Sequence, residues 1–330
     1  MIQRTLASCV VVGLLMLPTS VPAAAPESCN RSCLEGYIDK YLDAMQSKTV
    51  SPTLFARETK FTENGIRLPL GNEGLWFQMS GRGTYKFYVP DLETQQVAFI
   101  GTEREGGQSA ADSTPVAVAI RLKIVDKLIT EVEQLVVRPE TGVATSGITT
   151  NTSRPSVAQS VEKLGAPHPI FGEVIPEAKR PSREEMIKTA NYYFAGLQRN
   201  DGKGYYPFTD DCDRYENGNR STNVPMRNPV NGKTEVYGCK KQFEEALKGV
   251  VSRVRDRRFV AVDRERGIVF AFGFFDHEKI NWTWQLAELF KIQDGQIRRI
   301  EAVFHRAPYG INSGWSTYEQ GISDQPQIIR

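Results

Sequence analysis

The sequence predicts an α+β protein in which one unit, a helix followed by an antiparallel sheet, is used twice. Three observations predict it. Each half opens with apolar residues at helical spacing. The tripeptide Glu-Asn-Gly then follows an aromatic in both halves, within Phe61-Thr62-Glu63-Asn64-Gly65 and Arg214-Tyr215-Glu216-Asn217-Gly218. Both halves also close on the same strand–turn–strand run. Leu122–Lys127 leading into Ile129–Glu133 matches Phe290–Gly295 leading into Ile297–Glu301, without a gap. Self-similarity over such lengths marks a repeated structural unit, and helix first with antiparallel strands after it is an α+β order.

The elements follow in chain order. Residues 1–25 read as a signal peptide: Arg4 near the start, an apolar run from Leu6 to Leu17, and small residues through Ala23-Ala24-Ala25. The run is shorter than the ~20 residues a spanning helix needs. The expected location is therefore secreted or periplasmic, with no membrane anchor. Export places Cys29, Cys33, Cys212 and Cys239 in an oxidising compartment. Three pairings are open to four cysteines; the local pairing Cys29–Cys33 and Cys212–Cys239 is expected over a metal site, because no histidine lies near either pair.

The first domain, residues 26–138, begins with Leu34, Tyr37, Ile38, Tyr41, Leu42 and Met45 on one helix face. The second, residues 182–316, begins with Met186, Ile187, Ala190, Tyr193, Phe194 and Leu197, with Ser182 and Glu185 as a capping box. Between them, residues 139–181 are rich in Pro, Gly, Ser and Thr and read as a linker lying on the surface of one domain. Residues 317–330 read as a C-terminal tail. Val97–Gly101 and Val269–Gly273 are matching strands, and Asp126-Lys127 and Asp294-Gly295 are hairpin turns.

The 330 residues carry a net charge of +2 with 24 % charged residues, which points to neither nucleic acid nor an acidic membrane. The local cluster Arg253, Arg255, Arg257 and Arg258, interrupted by Asp256, reads as a solvated face. There is no Gly-rich phosphate loop, dinucleotide fingerprint or nucleophile elbow. The three histidines lack metal-ligand spacing. No cofactor and no metal is expected. Asn30, Asn151, Asn219 and Asn281 sit in glycosylation sequons, which matter in a eukaryotic source.

The helix–strand order, the Cys29-x-x-x-Cys33 start, Thr62-Glu63-Asn64-Gly65 with the Leu-Pro-Leu-Gly that follows, Pro308-Tyr309-Gly310 and Gly314-Trp315 resemble the nuclear-transport-factor-2-like, or SnoaL-like, superfamily. The likeness is to secreted proteins with two such domains in tandem. It implies two cone-shaped α+β barrels, each with N-terminal helices packed on a curved sheet over a cavity, and an internal pseudo-dimer with its sheets face to face. In relatives such as the ketosteroid isomerases a carboxylate facing the cone moves protons. That implies roles for Glu63 and Glu216, Glu216 above all. The competing reading of both is turn chemistry.

His305, at the end of the last strand, is the natural acid–base partner for Glu216, with Tyr215 or Arg306 steadying an oxyanion. His277 reads as an exposed turn residue, His168 as linker, and the Trp282, Trp284 row as packing. The expected function is a cofactor-independent lyase, dehydratase or isomerase acting on a small, partly apolar molecule. The alternative is a non-catalytic ligand-binding or protein-interaction module. A carboxylate and imidazole acting together must face one pocket.

Overall fold

The computed structural model describes residues 28–107, 112–139, 155–228 and 231–329. The expected signal peptide and residues 140–154 of the expected linker lie outside these. None of the described helices is long and apolar enough to cross a membrane.

The chain is α+β, with two mixed sheets of six and seven strands and few helices. In the first half, helix α1 (Arg31–Gln46) leads to β1 (Phe55–Glu63) and β2 (Ile66–Arg67). The short helix α2 (Leu75–Gln78) then carries the chain to the far edge. There β3 (Met79–Asp91), β4 (Gln96–Glu105), β5 (Thr114–Val125) and β6 (Leu128–Val137) meander back, giving the order β2-β1-β6-β5-β4-β3.

After α3 (Val157–Glu162), the second half repeats the plan. Helix α4 (Arg183–Leu197) precedes β7 (Phe208–Glu216) and β8 (Asn219–Arg220). A small hairpin, β9 (Pro225–Arg227) with β10 (Thr234–Val236), and the turn α5 (Cys239–Lys241) lead to β11 (Arg253–Asp263), β12 (Ile268–His277), β13 (Trp282–Gln293) and β14 (Gln296–Pro308). The order is β15-β11-β12-β13-β14-β7-β8. Register repeats as well. Gly101 faces Val118 where Gly273 faces Leu286, and Phe61 faces Val132 where Arg214 faces Ile300.

Two expectations are corrected. The sheets are mixed because the meander brings β6 and β14 back beside β1 and β7 running the same way, so those pairs are parallel. Neither sheet closes into a barrel among the described residues.

Alternation along each strand sorts apolar residues onto two faces, and three cores result. Leu34, Ile38, Tyr41 and Met45 of α1 pack on Phe61, Phe99, Ile120 and Val132. Met186, Tyr193, Phe194 and Leu197 of α4 pack on Phe259, Val269, Phe290 and Ile300. The opposite faces of both sheets meet in a third cluster that includes Phe87, Ile100, Ala119, Leu135, Ala261, Phe270, Leu289 and Val303. The layers therefore run helix, sheet, sheet, helix.

Both expected disulfides are present, Cys29–Cys33 and Cys212–Cys239. The linker and tail differ from their reading. Ala158, Val161, Ile170 and Phe171 are buried in the inter-sheet core, with the Phe171 ring 4.7 Å from that of Phe87, so this part of the linker is a wedge rather than a surface strap. In the tail, α6 (Tyr318–Ile322) precedes β15 (Gln327–Ile328), which pairs in parallel with β11 at the sheet edge. The arginine cluster is not a solvated face. Arg255, Asp256, Arg257 and Arg258 are all buried, because a bulge at Asp256 (φ 51°) turns the strand so that Arg258 reaches Glu133 and Arg255 reaches Asp276.

Candidate functional site

The Glu-Asn-Gly tripeptides make identical two-residue hairpin turns. Asn64 and Asn217 both have φ 51°, followed by Gly65 at φ 80° and Gly218 at φ 76°, the doubly positive pattern that favours Asn-Gly. Each Asn side chain then ties the turn to the last long strand. Asn64 Nδ2 donates to the Val136 carbonyl and accepts from Val136 N through Oδ1; Asn217 does the same with Phe304. The turn reading thus holds for Asn and Gly in both halves. It leaves open what the glutamates do, and there the halves diverge.

Glu63 is buried and saturated. Its Oε1 accepts from Arg138 at 2.8 Å, and its Oε2 accepts from Gln134 Nε2 and from Leu75 N, each at 2.8 Å. Gly74 lets α2 close over it, since a Cβ there would lie 2.4 Å from Glu63 Oε2. Gln134 Oε1 accepts from the buried Tyr41 hydroxyl, which in turn accepts from Trp76 Nε1. Both carboxylate oxygens therefore have donors, and Trp76 packs edge to face on Tyr41 beside them. Glu63 is a structural anchor, which corrects its catalytic reading.

Glu216 occupies the matching place under different conditions. It forms an ion pair with Arg214, at 3.3 Å, and its side chain is 35 % exposed. The position of Gln134 is taken by Ala302, which pairs with Glu216 on one side and Glu288 on the other. Residues paired across neighbouring strands share a face. The row Glu216–Ala302–Glu288 thus sets two carboxylates on the helix-covered face, two strand spacings or about 10 Å apart at the backbone, with only a methyl between them. Arg214 lies one row along, beside Ile300.

Glu288 is fully buried, and loss of solvent pushes its pKa up to about 8 against the opposing pull of Arg214. It is held as the neutral acid near pH 7. Among the described residues its Oε2 has no hydrogen-bond partner, and neither has Arg214 Nε. Tyr193 closes the group, its hydroxyl accepting from Arg214 at 3.0 Å; burial raises its pKa well above the usual phenol value. The first half has Phe61 and Ile120 where the second has Arg214 and Glu288, so convergent ionisable groups under the helix, beyond the anchor, belong to the second sheet.

The structure removes the pairing of Glu216 with His305. His305 shares the inter-sheet face with Val303 and approaches Gln285, Nε2 to Oε1 at 3.2 Å, while Glu216 is on the opposite, helix-covered face. The odd spacing from Ala302 decides this, because successive strand residues alternate faces. Burial and the nearby charge of Arg138 lower the His305 pKa to about 4, so it is neutral at pH 7. Tyr215 also faces between the sheets, with the Arg299 guanidinium 4.3 Å from its ring centre. Arg306 is on the correct face, but four residues or about 13 Å along β14 from Ala302, stacked 4.2 Å over Trp282. Neither steadies a group held between the glutamates.

Glu288 was missed because it lies inside the apolar run Leu286–Phe290. Counting back from the Asp294-Gly295 turn sets it opposite Glu301; a register shift between Lys291 and Ile292, which the sequence does not signal, moves it opposite Ala302, one strand from Glu216. His277, read as exposed, is buried; its Nδ1 lies 2.8 Å from the Val250 carbonyl and burial lowers its pKa.

A crevice of about 10 Å³ between the sheets is lined by Tyr85, Tyr215 and Glu301 among others, and a groove of about 520 Å³ runs outside α4 past Tyr192 and Tyr205. The glutamate pair is instead covered by packed rings, Phe243 lying 5.2 Å from Tyr193, and meets solvent at Glu216. Among the described residues no group of three or more His, Cys, Asp and Glu has the arrangement to hold a metal.

A family model described as a domain of unknown function (DUF8021) matches residues 179–304, the half that carries Glu216 and Glu288. No curated protein matches the sequence. Among solved structures, a de novo designed protein with a curved β-sheet is similar over 38 % of this chain and 88 % of its own, at 18 % identity and a TM-score of 0.25.

Proposed function

We propose that this is an exported enzyme that moves a proton on a small, partly apolar molecule, a lyase, dehydratase or isomerase needing no nucleotide or metal. Its reacting groups are Glu288 and Glu216 on the helix-covered face of the second sheet. The two halves are read as SnoaL-like units, the first retained as scaffold. One observation carries the reading. Two carboxylates share a face across Ala302, one buried and held protonated, the other partly exposed and paired with Arg214. Carboxylates whose surroundings push them into different protonation states supply an acid and a base at one pH. Glu288 gives its proton to the substrate from the unpartnered Oε2, Glu216 receives one, and Arg214 with Tyr193 offers donors to a developing oxyanion. The two disulfides support export.

The substrate need not be known to test this. Small phenolic and ketone compounds are incubated with the protein in deuterated water, and exchange at acidic C–H positions is followed by NMR. Exchange with at least one compound, lost in Glu288→Gln and in Glu216→Gln but kept in Glu63→Gln, supports the proposal. Saturable binding without exchange favours the non-catalytic module, for which the packed rings over the pair speak.

A further inference from the structure

The outer end of the same sheet face has chemistry of its own. Trp282 and Trp284 project from β13 onto the helix-covered side with ring centres 5.6 Å apart, and Phe304 packs 5.1 Å from Trp284. Both indoles are only partly buried. His277 meets each of them edge to face, at 6.3 and 6.4 Å. Because Nδ1 faces the Val250 carbonyl at 2.8 Å, it carries the ring proton, which leaves Nε2 as a bare acceptor. That Nε2 and the Trp282 indole Nε1–H are both buried and, among the described residues, lack a hydrogen-bond partner. One donor and one acceptor on touching rings, within an aromatic surround, suit a single group that both accepts and donates. Leaving both unmade is costly, because each buried group has given up its bonds to water without gaining another partner.

We propose that this end of the sheet is a binding site for a phenolic ring, whose hydroxyl accepts from Trp282 Nε1 and donates to His277 Nε2 while the ring packs against Trp284 and Phe304. The Arg306 guanidinium, already 4.2 Å over Trp282, walls one side. A phenol suits the site better than an aliphatic alcohol on two counts: its O–H is the stronger donor to imidazole, and its flat ring offers edge-to-face contacts. Trp282 stands six residues, about 20 Å along the strand, from Glu288. The site is therefore separate from the glutamate pair and does not depend on the proton-transfer reading.

The test is a titration of the intact protein with phenol and with anisole, which keeps the ring but has no O–H. It is followed by the ¹⁵N resonance of His277 Nε2 and by tryptophan fluorescence. Phenol is expected to give a saturable shift and anisole to bind roughly tenfold more weakly. Trp282→Phe, which keeps a ring and removes the N–H, is expected to weaken phenol severalfold with the thermal midpoint unchanged. The proposal is overturned if phenol gives no saturable shift or if anisole matches it. A co-crystal in which an ordered water alone joins Trp282 Nε1 to His277 Nε2, with phenol elsewhere, also overturns it.

Discussion

Replacing Glu288 by glutamine isolates the electrostatic cost of the buried acid, because the amide keeps the shape and cannot ionise. In the unfolded chain the carboxyl titrates at 4.5 and in the folded protein at about 8. Below pH 4.5 both states are protonated and nothing is lost. Between the two values the folded state keeps a proton that the unfolded state has released, so stability falls as pH rises, and above 8 the full cost is in place. One pKa unit is worth about 1.4 kcal/mol, so the total reaches about 5 kcal/mol, of which about 3 develops between pH 5 and pH 8. Glu103, likewise pushed up to about 8 by burial, gives the same background slope in both proteins and cancels. Urea unfolding at pH 5, 6, 7 and 8 supplies the comparison. Glu288→Gln should gain on the parent steadily with pH, by about 3 kcal/mol over that range. A difference that stays flat, or a variant that loses ground at pH 8, would mean that Glu288 is ionised against Arg214, and the acid–base assignment would fail.

Further outcomes follow from the same geometry. Ala302→Gln restores the amide that Gln134 gives Glu63 at 2.8 Å; Glu216 should become saturated, and any proton exchange in deuterated water should fall below about a tenth, the effect of roughly one lost interaction of 1.4 kcal/mol, with folding stability kept. Asn64→Ala and Asn217→Ala each remove two strand-tying hydrogen bonds and leave alanine in the left-handed region, at about 2 kcal/mol apiece in urea midpoints. Losses differing by more than twofold would contradict the equivalence of the turns. His305, with a pKa lowered from 6.5 to about 4, costs stability as pH falls from 6.5 to 4 and nothing above. Its proton NMR titration should show a midpoint near 4, and a midpoint near 6.5 would place it in solvent.

The sequence carried the repeat further than the site. Periodicity in Leu34–Met45 and Met186–Leu197 marked both helices, and the paired runs ending at Glu133 and Glu301 marked both closing hairpins, since such patterns report only local geometry. Cysteine spacing with export sufficed for both disulfides. Strand direction was not legible: whether β7 meets β14 in parallel depends on where the intervening chain crosses, and no short window encodes that. The buried arginines were misread because charge in sequence suggests solvent, whereas Arg258 and Glu133 offset each other's desolvation cost across 125 residues. In the candidate site, Glu216 was visible through its repeat with Glu63, and its solvent access was not. The choice of His305 rested on residue chemistry, and a parity of one along β14 set it on the wrong face. Glu288 was hidden among Leu286, Leu289 and Phe290, whose apolar character is what raises its pKa.

The most direct measurement is the titration of the Glu288 side-chain carboxyl carbon in protein labelled with ¹³C at glutamate, assigned through Glu288→Gln. A carboxyl that remains protonated through neutrality and releases its proton near pH 8 is what a buried acid opposite Glu216 requires. Release near pH 4 would show two ionised glutamates bracing Arg214, and the second sheet would hold a salt-bridged support rather than a proton donor.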